Sequence, residues 1–277
     1  MDLTTPLMVA SRKGDLSEVR SCLEEDITCI DTQDITGITA LMLAIQYNSA
    51  IPDQSDIIKI LKLLIEEGAS LDIQNYTGKT ALMYSIMFDR IDIVTLLLEK
   101  GASLDIKDNH GRTAMMYAVF QRYVNHRETR LTSLHIELLI EKGSSLDIKD
   151  EDGITALMRA IIYNNRHAAR LLIEKGASLD IQDEEGNTVL MLAIIKGKMS
   201  ITRFLIEKGA SLDIQDNEGK TPLTISQEKG NEEIVEYIME KKVLNAKGRL
   251  VRAQAIQQGF NGLPYELGLY GLISSHL

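Results

Sequence analysis

Apolar residues fall into short stretches at helical spacing, broken at regular intervals by turns rich in Asp and Gly. In residues 80–112 the first stretch, TALMYSIMF, carries small and apolar side chains at that spacing. The second, IDIVTLLLEKG, holds a continuous apolar stripe and ends on Glu-Lys-Gly, a C-terminal stop. The next segment, GASLDIKDNHG, has Asp and Gly at turn positions and predicts a tight β-turn or hairpin finger. Helix, turn, helix and finger make one unit.

That unit recurs. Segments of the form Thr-Ala-Leu-Met-x-Ala start at Thr5, Thr39, Thr80, Thr113, Thr155, Thr188 and Thr221, at intervals of 34, 41, 33, 42, 33 and 33 residues. Four intervals match a 33-residue period to within one residue, and the other two carry eight or nine residues more. The additions fall between the two helices of units two and four, near 48–56 and 121–133. Units are expected near 3–34, 35–75, 76–108, 109–150, 151–183, 184–216 and 217–242. One such unit cannot bury both of its helices, but stacked on its neighbours it can. The pattern therefore predicts an all-α helix-turn-helix solenoid over 1–242, with β-turn or hairpin fingers and a concave face.

The period, the Gly-x-Thr-Pro-Leu-like openings and the Leu-Leu-x-x-Gly-Ala endings resemble the ankyrin repeat family over about residues 3–242. One departure is consistent. Where the family has His after Thr-Pro-Leu, this chain has Met8, Met42, Met83, Met116, Met158 and Met191, then Thr224. The histidine hydrogen bonds of the family are lost with it, and packing of flexible, polarizable Met is expected to fill the same gap.

The resemblance implies that finger tips and the exposed ends of the first helices line the concave side and hold another protein. Carried onto this chain, the helix positions include Tyr47, Met87, Phe88, Phe120, Ile162 and Tyr163, with Tyr84 and Tyr117 extending the strip. Such an aromatic cluster is expected to be an interface. Rings packed between repeats, or covered by the long connections, are the alternative. Tyr76 and Arg112 join the expected contacts from the fingers, whose tips turn from apolar and basic to acidic at Glu151, Asp152, Glu184, Glu185 and Glu218. A partner with an apolar centre and a basic end would match. The second insertion carries Arg122, Arg127 and Arg130, a basic loop that either binds or merely extends the helices.

Composition removes other functions. A net charge of -10 argues against nucleic acid and anionic membrane, whose binding relies on clustered Lys and Arg. No apolar run is long enough for a membrane span, and MDLTTPLMVASRKGD has no secretory pattern, so an intracellular, cytoplasmic location is expected. Cys22 and Cys29 are too few for a disulfide framework and lack zinc-finger spacing; buried, reduced thiols are expected. The recurring Leu-Asp-Ile at Asp72, Asp105, Asp147, Asp180 and Asp213 could suggest metal chemistry. Stacked repeats, however, set equivalent residues about 8–10 Å apart, whereas two-metal chemistry needs ions about 4 Å apart. Turn capping or bonding between fingers is the expected role. Asp108, Asp150, Asp183 and Asp216, three residues before a glycine, read as turn formers. Neither cofactor nor metal is expected, and the chain is read as a monomeric, non-enzymatic interaction scaffold centred on repeats two to five.

The repeat stops at residue 243. In 243–277 a helical segment leads to a Gly-Phe-Asn-Gly break, after which Leu263, Pro264, Glu266 and Leu267 resemble the start of an F-box, a module that docks onto ubiquitin-ligase adaptors. Two roles follow. The tail either caps the apolar end of repeat seven, or it recruits degradation machinery and makes the chain a substrate receptor, a host-directed effector among the options.

Overall fold

A computed structural model describes residues 4–46, 55–125 and 130–257. Seven helix pairs follow one another. They are α1 (Pro6–Lys13) with α2 (Leu16–Glu25), α3 (Ala40–Gln46) with α4 (Ser55–Glu66), α5 (Ala81–Met87) with α6 (Ile91–Glu99), and α7 (Ala114–Asn125) with α8 (Arg130–Glu141). Then come α9 (Ala156–Ile162) with α10 (Arg166–Glu174), α11 (Val189–Ile195) with α12 (Met199–Glu207), and α13 (Pro222–Glu228) with α14 (Glu232–Gln257). Odd-numbered helices pack on one another in a first row, and even-numbered helices form a second row behind them. The all-α solenoid expected from the repeat is present. Its fingers are turns, since the β-pairing among the described residues is one isolated bridge, Gln182 to Thr188.

Each first-row helix begins where the recurring threonine stops the extended backbone. Thr5, Thr80, Thr155, Thr188 and Thr221 have β-region dihedrals, and each hydroxyl accepts the N–H three residues on. That third residue is the recurring methionine, and Met8, Met42, Met83, Met116, Met158 and Met191 are all at most 2% exposed. At Met8 and Met191 the sulfur also accepts the N–H of Thr5 and Thr188, at 3.4 Å. The thioether thus takes the place that a Glu or Gln side chain usually holds in a capping box. Packing by Met is as expected, with a weak cap added. Repeat seven, which no later repeat covers, has exposed Thr224 there instead.

Two polar ladders join successive repeats. In the first, Asp31, Asp72, Asp105, Asp147 and Asp180 accept the N–H of Ser70, Ser103, Ser145, Ser178 and Ser211, at 2.8–3.2 Å. Asp213 has no following repeat and pairs with Lys242 at 2.8 Å. Of the two roles expected for the Leu-Asp-Ile aspartates, turn capping or bonding between fingers, Asp72, Asp105, Asp147 and Asp180 take the second and Asp213 does not. In the second ladder each finger donates a backbone N–H to the finger before it: Tyr76 to Thr36, Asn109 to Thr77, Glu151 to His110, Glu184 to Asp152 and Asn217 to Glu185. Within a finger, Asp34, Asn75, Asp108, Asp150, Asp183 and Asp216 each accept N–H groups from the residues two and four further on.

The second insertion lengthens helices. α7 and α8 have 12 residues each, against 7 in α5 and 9 in α6, so both run past the edge of the array. The first insertion lies outside the described residues apart from the early start of α4 at Ser55. α14 is the longest helix, with 26 residues, and the boundary expected at 242 falls inside it.

Glycines at the two turn types differ in what they avoid. Gly101 ends α6 at φ 88°, and a Cβ there would meet nothing within 4 Å. Gly111 sits in a finger at φ 74°, and its Cβ would come 2.8–3.0 Å from Glu151 N and the Asp150 backbone of the next finger. Gly101→Ala is expected to lose only the left-handed penalty, about 1–2 kcal/mol. Gly111→Ala is expected to lose that plus about 1–3 kcal/mol for displaced backbone. Urea unfolding of the two variants compares them, and equal losses would refute the close finger contact as the cause.

Candidate partner-binding surface

The surface is assembled from the ends of the first-row helices. Helix α5 finishes with Met87, and Phe88 is its C-cap; the two are 39% and 37% exposed. One repeat on, α7 continues through the equivalent point, so Phe120 lies within a helix and is half-buried. In the next repeat Ile162 and Tyr163 occupy the last and C-cap positions of α9, both half-buried. Phe120 and Tyr163 meet edge-to-face across the repeats at 5.0 Å, a geometry that stabilises aromatic pairs by about 1 kcal/mol. Ile195, at the end of α11, is 37% exposed and carries the row into repeat six. Tyr47 lies outside the described residues.

Tyr84 and Tyr117 do something other than extend the strip. Both are buried, because they sit one turn earlier on their helices, where the side chain reaches the base of the finger. The Tyr84 hydroxyl accepts from Asn75 Nδ2 at 2.9 Å. The Tyr117 hydroxyl donates to Asp108 Oδ2 at 2.6 Å. In repeat five Arg159 holds the same helix position and pairs with Asp150, while also reaching the Tyr163 hydroxyl at 3.3 Å. Three successive repeats thus tie helix to finger with a polar side chain, whereas Leu43 and Leu192 fill the equivalent place in repeats two and six.

Arg112, expected to face a partner, is drawn into this tie as well. It is bonded to Asp108 at 3.0 Å through both Nε and a terminal nitrogen, and its guanidinium lies 5.3 Å from the centre of the Tyr117 ring. Tyr76 remains open at the finger tip, 62% exposed, with its ring edge over Gly37. Ile35 on the preceding finger is 65% exposed. Arg122 lies in α7 and Arg130 opens α8, whereas Arg127, Leu263, Pro264, Glu266 and Leu267 lie outside the described residues.

Electrostatics follow from this geometry. Burial pushes the Asp108 carboxyl up, but hydrogen bonds from Tyr117, Arg112 N and His110 N, with the Arg112 charge, outweigh it and hold the group below its ordinary value. Burial, then the bond to and charge of Asp108, push the Tyr117 phenol up, so it stays a donor. The Cys22 and Cys29 thiols, free and half-buried rather than buried, are pushed up by partial burial and by neighbouring carboxylates, which disfavours the reactive thiolate. Among the described residues no group of His, Cys, Asp and Glu is arranged to hold a metal ion, and no helix is long and apolar enough to cross a membrane.

Stacked helix pairs with bonded fingers define a repeat scaffold, whose usable surface is built from variable side chains on a constant frame. The family model for ankyrin repeats matches in three copies, over residues 49–129, 126–183 and 176–250, and the chain belongs to the ankyrin repeat family. No curated protein matches the sequence. Among solved structures, the chain is similar to the crystal structure of the ankyrin repeat domain of Bcl-3, described as a unique member of the IkappaB protein family. The TM-score is 0.70 at 24% identity, over 81% of this chain and 95% of that one. At that identity the likeness concerns the fold.

The Asp108 tie has a pH signature. A carboxylate held low in the folded state stabilises it above the ordinary value of about 3.9, and that contribution disappears as pH falls through the lower folded value. Tyr117→Phe is expected to lose about 1.5–3 kcal/mol at neutral pH, the range for a hydrogen bond to a charged group. Asp108→Asn is expected to narrow the stability difference between pH 7 and about pH 3. Urea titrations at both pH values measure this, and a gap between Asp108→Asn and the parent that is the same at both would contradict the assignment.

Proposed function

We propose that the chain is a non-catalytic scaffold that holds one protein partner as a monomeric array. Contact is centred on the ends of the first-row helices and the finger tips of repeats two to five. Ankyrin repeats generally bind other proteins. The observation that supports this face is the exposure of Met87 and Phe88 side by side, next to the Phe120–Tyr163 pair, in an array whose first-row helices bury most of their apolar residues. Exposed apolar and aromatic groups gain most when a partner removes them from water, and such groups commonly dominate binding energy. The ties from Tyr84, Tyr117 and Arg159 support the same repeats: they fix helix and finger relative to each other, so the surface is formed before the partner arrives and less entropy is lost on binding. Acidic finger tips at Glu151, Asp152, Glu184, Glu185 and Glu218 fit a partner that is basic at the end nearer the later repeats.

Capture from lysate with the full-length chain, repeated with Met87→Glu and Phe88→Glu together, tests the face. Both side chains are exposed, so the melting temperature is expected to stay close to that of the parent. A partner retained by the parent is expected to be lost by the double variant, a change of about 100-fold or more for two contact residues. Equal recovery of every captured protein by both chains would show that binding lies elsewhere.

A further inference from the structure

The second row of helices ends differently from how it begins. α6, α10 and α12 have 9 residues, whereas α14 has 26 and extends well past the helices it packs against, α12 and α13. On α14, Met239, Val243, Leu244 and Leu250 are 53–61% exposed. Among the described residues, the other second-row helices contribute only Leu134, 37% exposed, to the large apolar side chains left this open. Met239, Val243 and Leu250 are spaced four and seven residues apart, so they share one side of the helix. A helical segment of this length without cover is marginal in water, and its apolar side favours being buried.

The end of the first row has no such need. Repeat seven presents exposed Thr224 and Gln227 where earlier repeats present core residues, so the array already finishes in a polar face there. Cover is called for on α14, not on α13.

We infer that residues 258–277 return along α14 and cover Met239, Val243, Leu244 and Leu250. Three observations favour this occupant. The segment follows directly on Gln257, so its local concentration at α14 is that of a tethered ligand. Its 20 residues contain nine large apolar or aromatic side chains, no Lys or Arg and one acidic residue, Glu266, while Gly259, Gly262 and Pro264 supply residue types that reverse a chain. Met239 lies 18 residues back from Gln257. That is about 27 Å of helix, within reach of a 20-residue chain, which spans about 66 Å at full extension. Charge disfavours a second copy aligned in parallel, because residues 241–257 hold Lys241, Lys242, Lys247, Arg249 and Arg252 with no acidic residue. An antiparallel copy, which would set them against Glu232, Glu233, Glu236 and Glu240, is the outcome that the crosslinking below separates.

The experiment is photo-crosslinking in the full-length chain with Leu250 replaced by benzoylphenylalanine. Expected are crosslinks to peptides within 258–277 of the same chain, at a yield independent of protein concentration. Crosslinks that join two chains and grow with concentration would overturn the proposal in favour of self-association. Crosslinks to other parts of the array, or none, would overturn it outright. Hydrogen exchange on the unsubstituted chain is an independent measurement. Amides of 243–257 are expected to exchange about tenfold or more slowly than in Leu250→Glu, with repeats two to six unchanged between the two. Equal exchange in 243–257 would also overturn it.

Discussion

Stacking of one repeat on the next is the constraint on which this protein depends. A helix pair with its finger leaves one apolar flank open on each side, and the neighbouring repeat covers it. The recurring Thr and Met make that flank: Thr starts the first-row helix, and Met, three residues on, fills the space against the adjacent helix. Aspartate–serine and finger–finger hydrogen bonds then fix the offset between units, since a shift of one repeat against another would break every rung at once. Apolar burial supplies attraction without direction, and the polar ladders supply the register.

A frame built this way leaves two places free to vary, and both are where the chain departs from its own repeat. The turns between the two helices of a unit accept insertions, and α7 and α8 run past the edge while still packing within their rows. The ends of the first-row helices can carry Met87, Phe88, Phe120 and Tyr163, because the core lies on the flanks of those helices and not at their ends. Position within the repeat therefore separates two kinds of aromatic residue that composition cannot distinguish. One turn earlier, Tyr84 and Tyr117 are committed to the finger base, and Arg159 in the next repeat shows that the tie needs a donor or acceptor of the right length, not a ring.

The ends of the stack obey the same logic. Where stacking stops, flanking residues become polar or find a substitute partner. Thr224 stands where Met would be buried, Asp213 takes Lys242 in place of a serine, and Gly219 has no next finger to avoid. The apolar side of α14 is the one feature of the terminal repeat that does not follow this rule among the described residues, and it is followed in the chain by 20 residues with a single acidic residue and no Lys or Arg.

Much of this was legible in the sequence because a repeat fold is local. Helix starts at Thr, stops at Gly, turn-forming Asp and a period of 33 residues are all written within a few dozen positions, and repetition removes the ambiguity that any one copy carries. The Leu-Asp-Ile aspartates could be narrowed to turn capping or bonds between fingers for the same reason, and the structure chose the second for four of the five. What the sequence could not give was the direction of side chains at the helix ends. Tyr84 and Met87 are three residues apart and equally apolar in outline, yet one is buried against its own finger and the other faces outward. That choice depends on where the finger base falls relative to the helix, and the edge-to-face contact of Phe120 with Tyr163 depends on the offset between repeats four and five. Both are distances between segments tens of residues apart, so they were settled by tertiary packing.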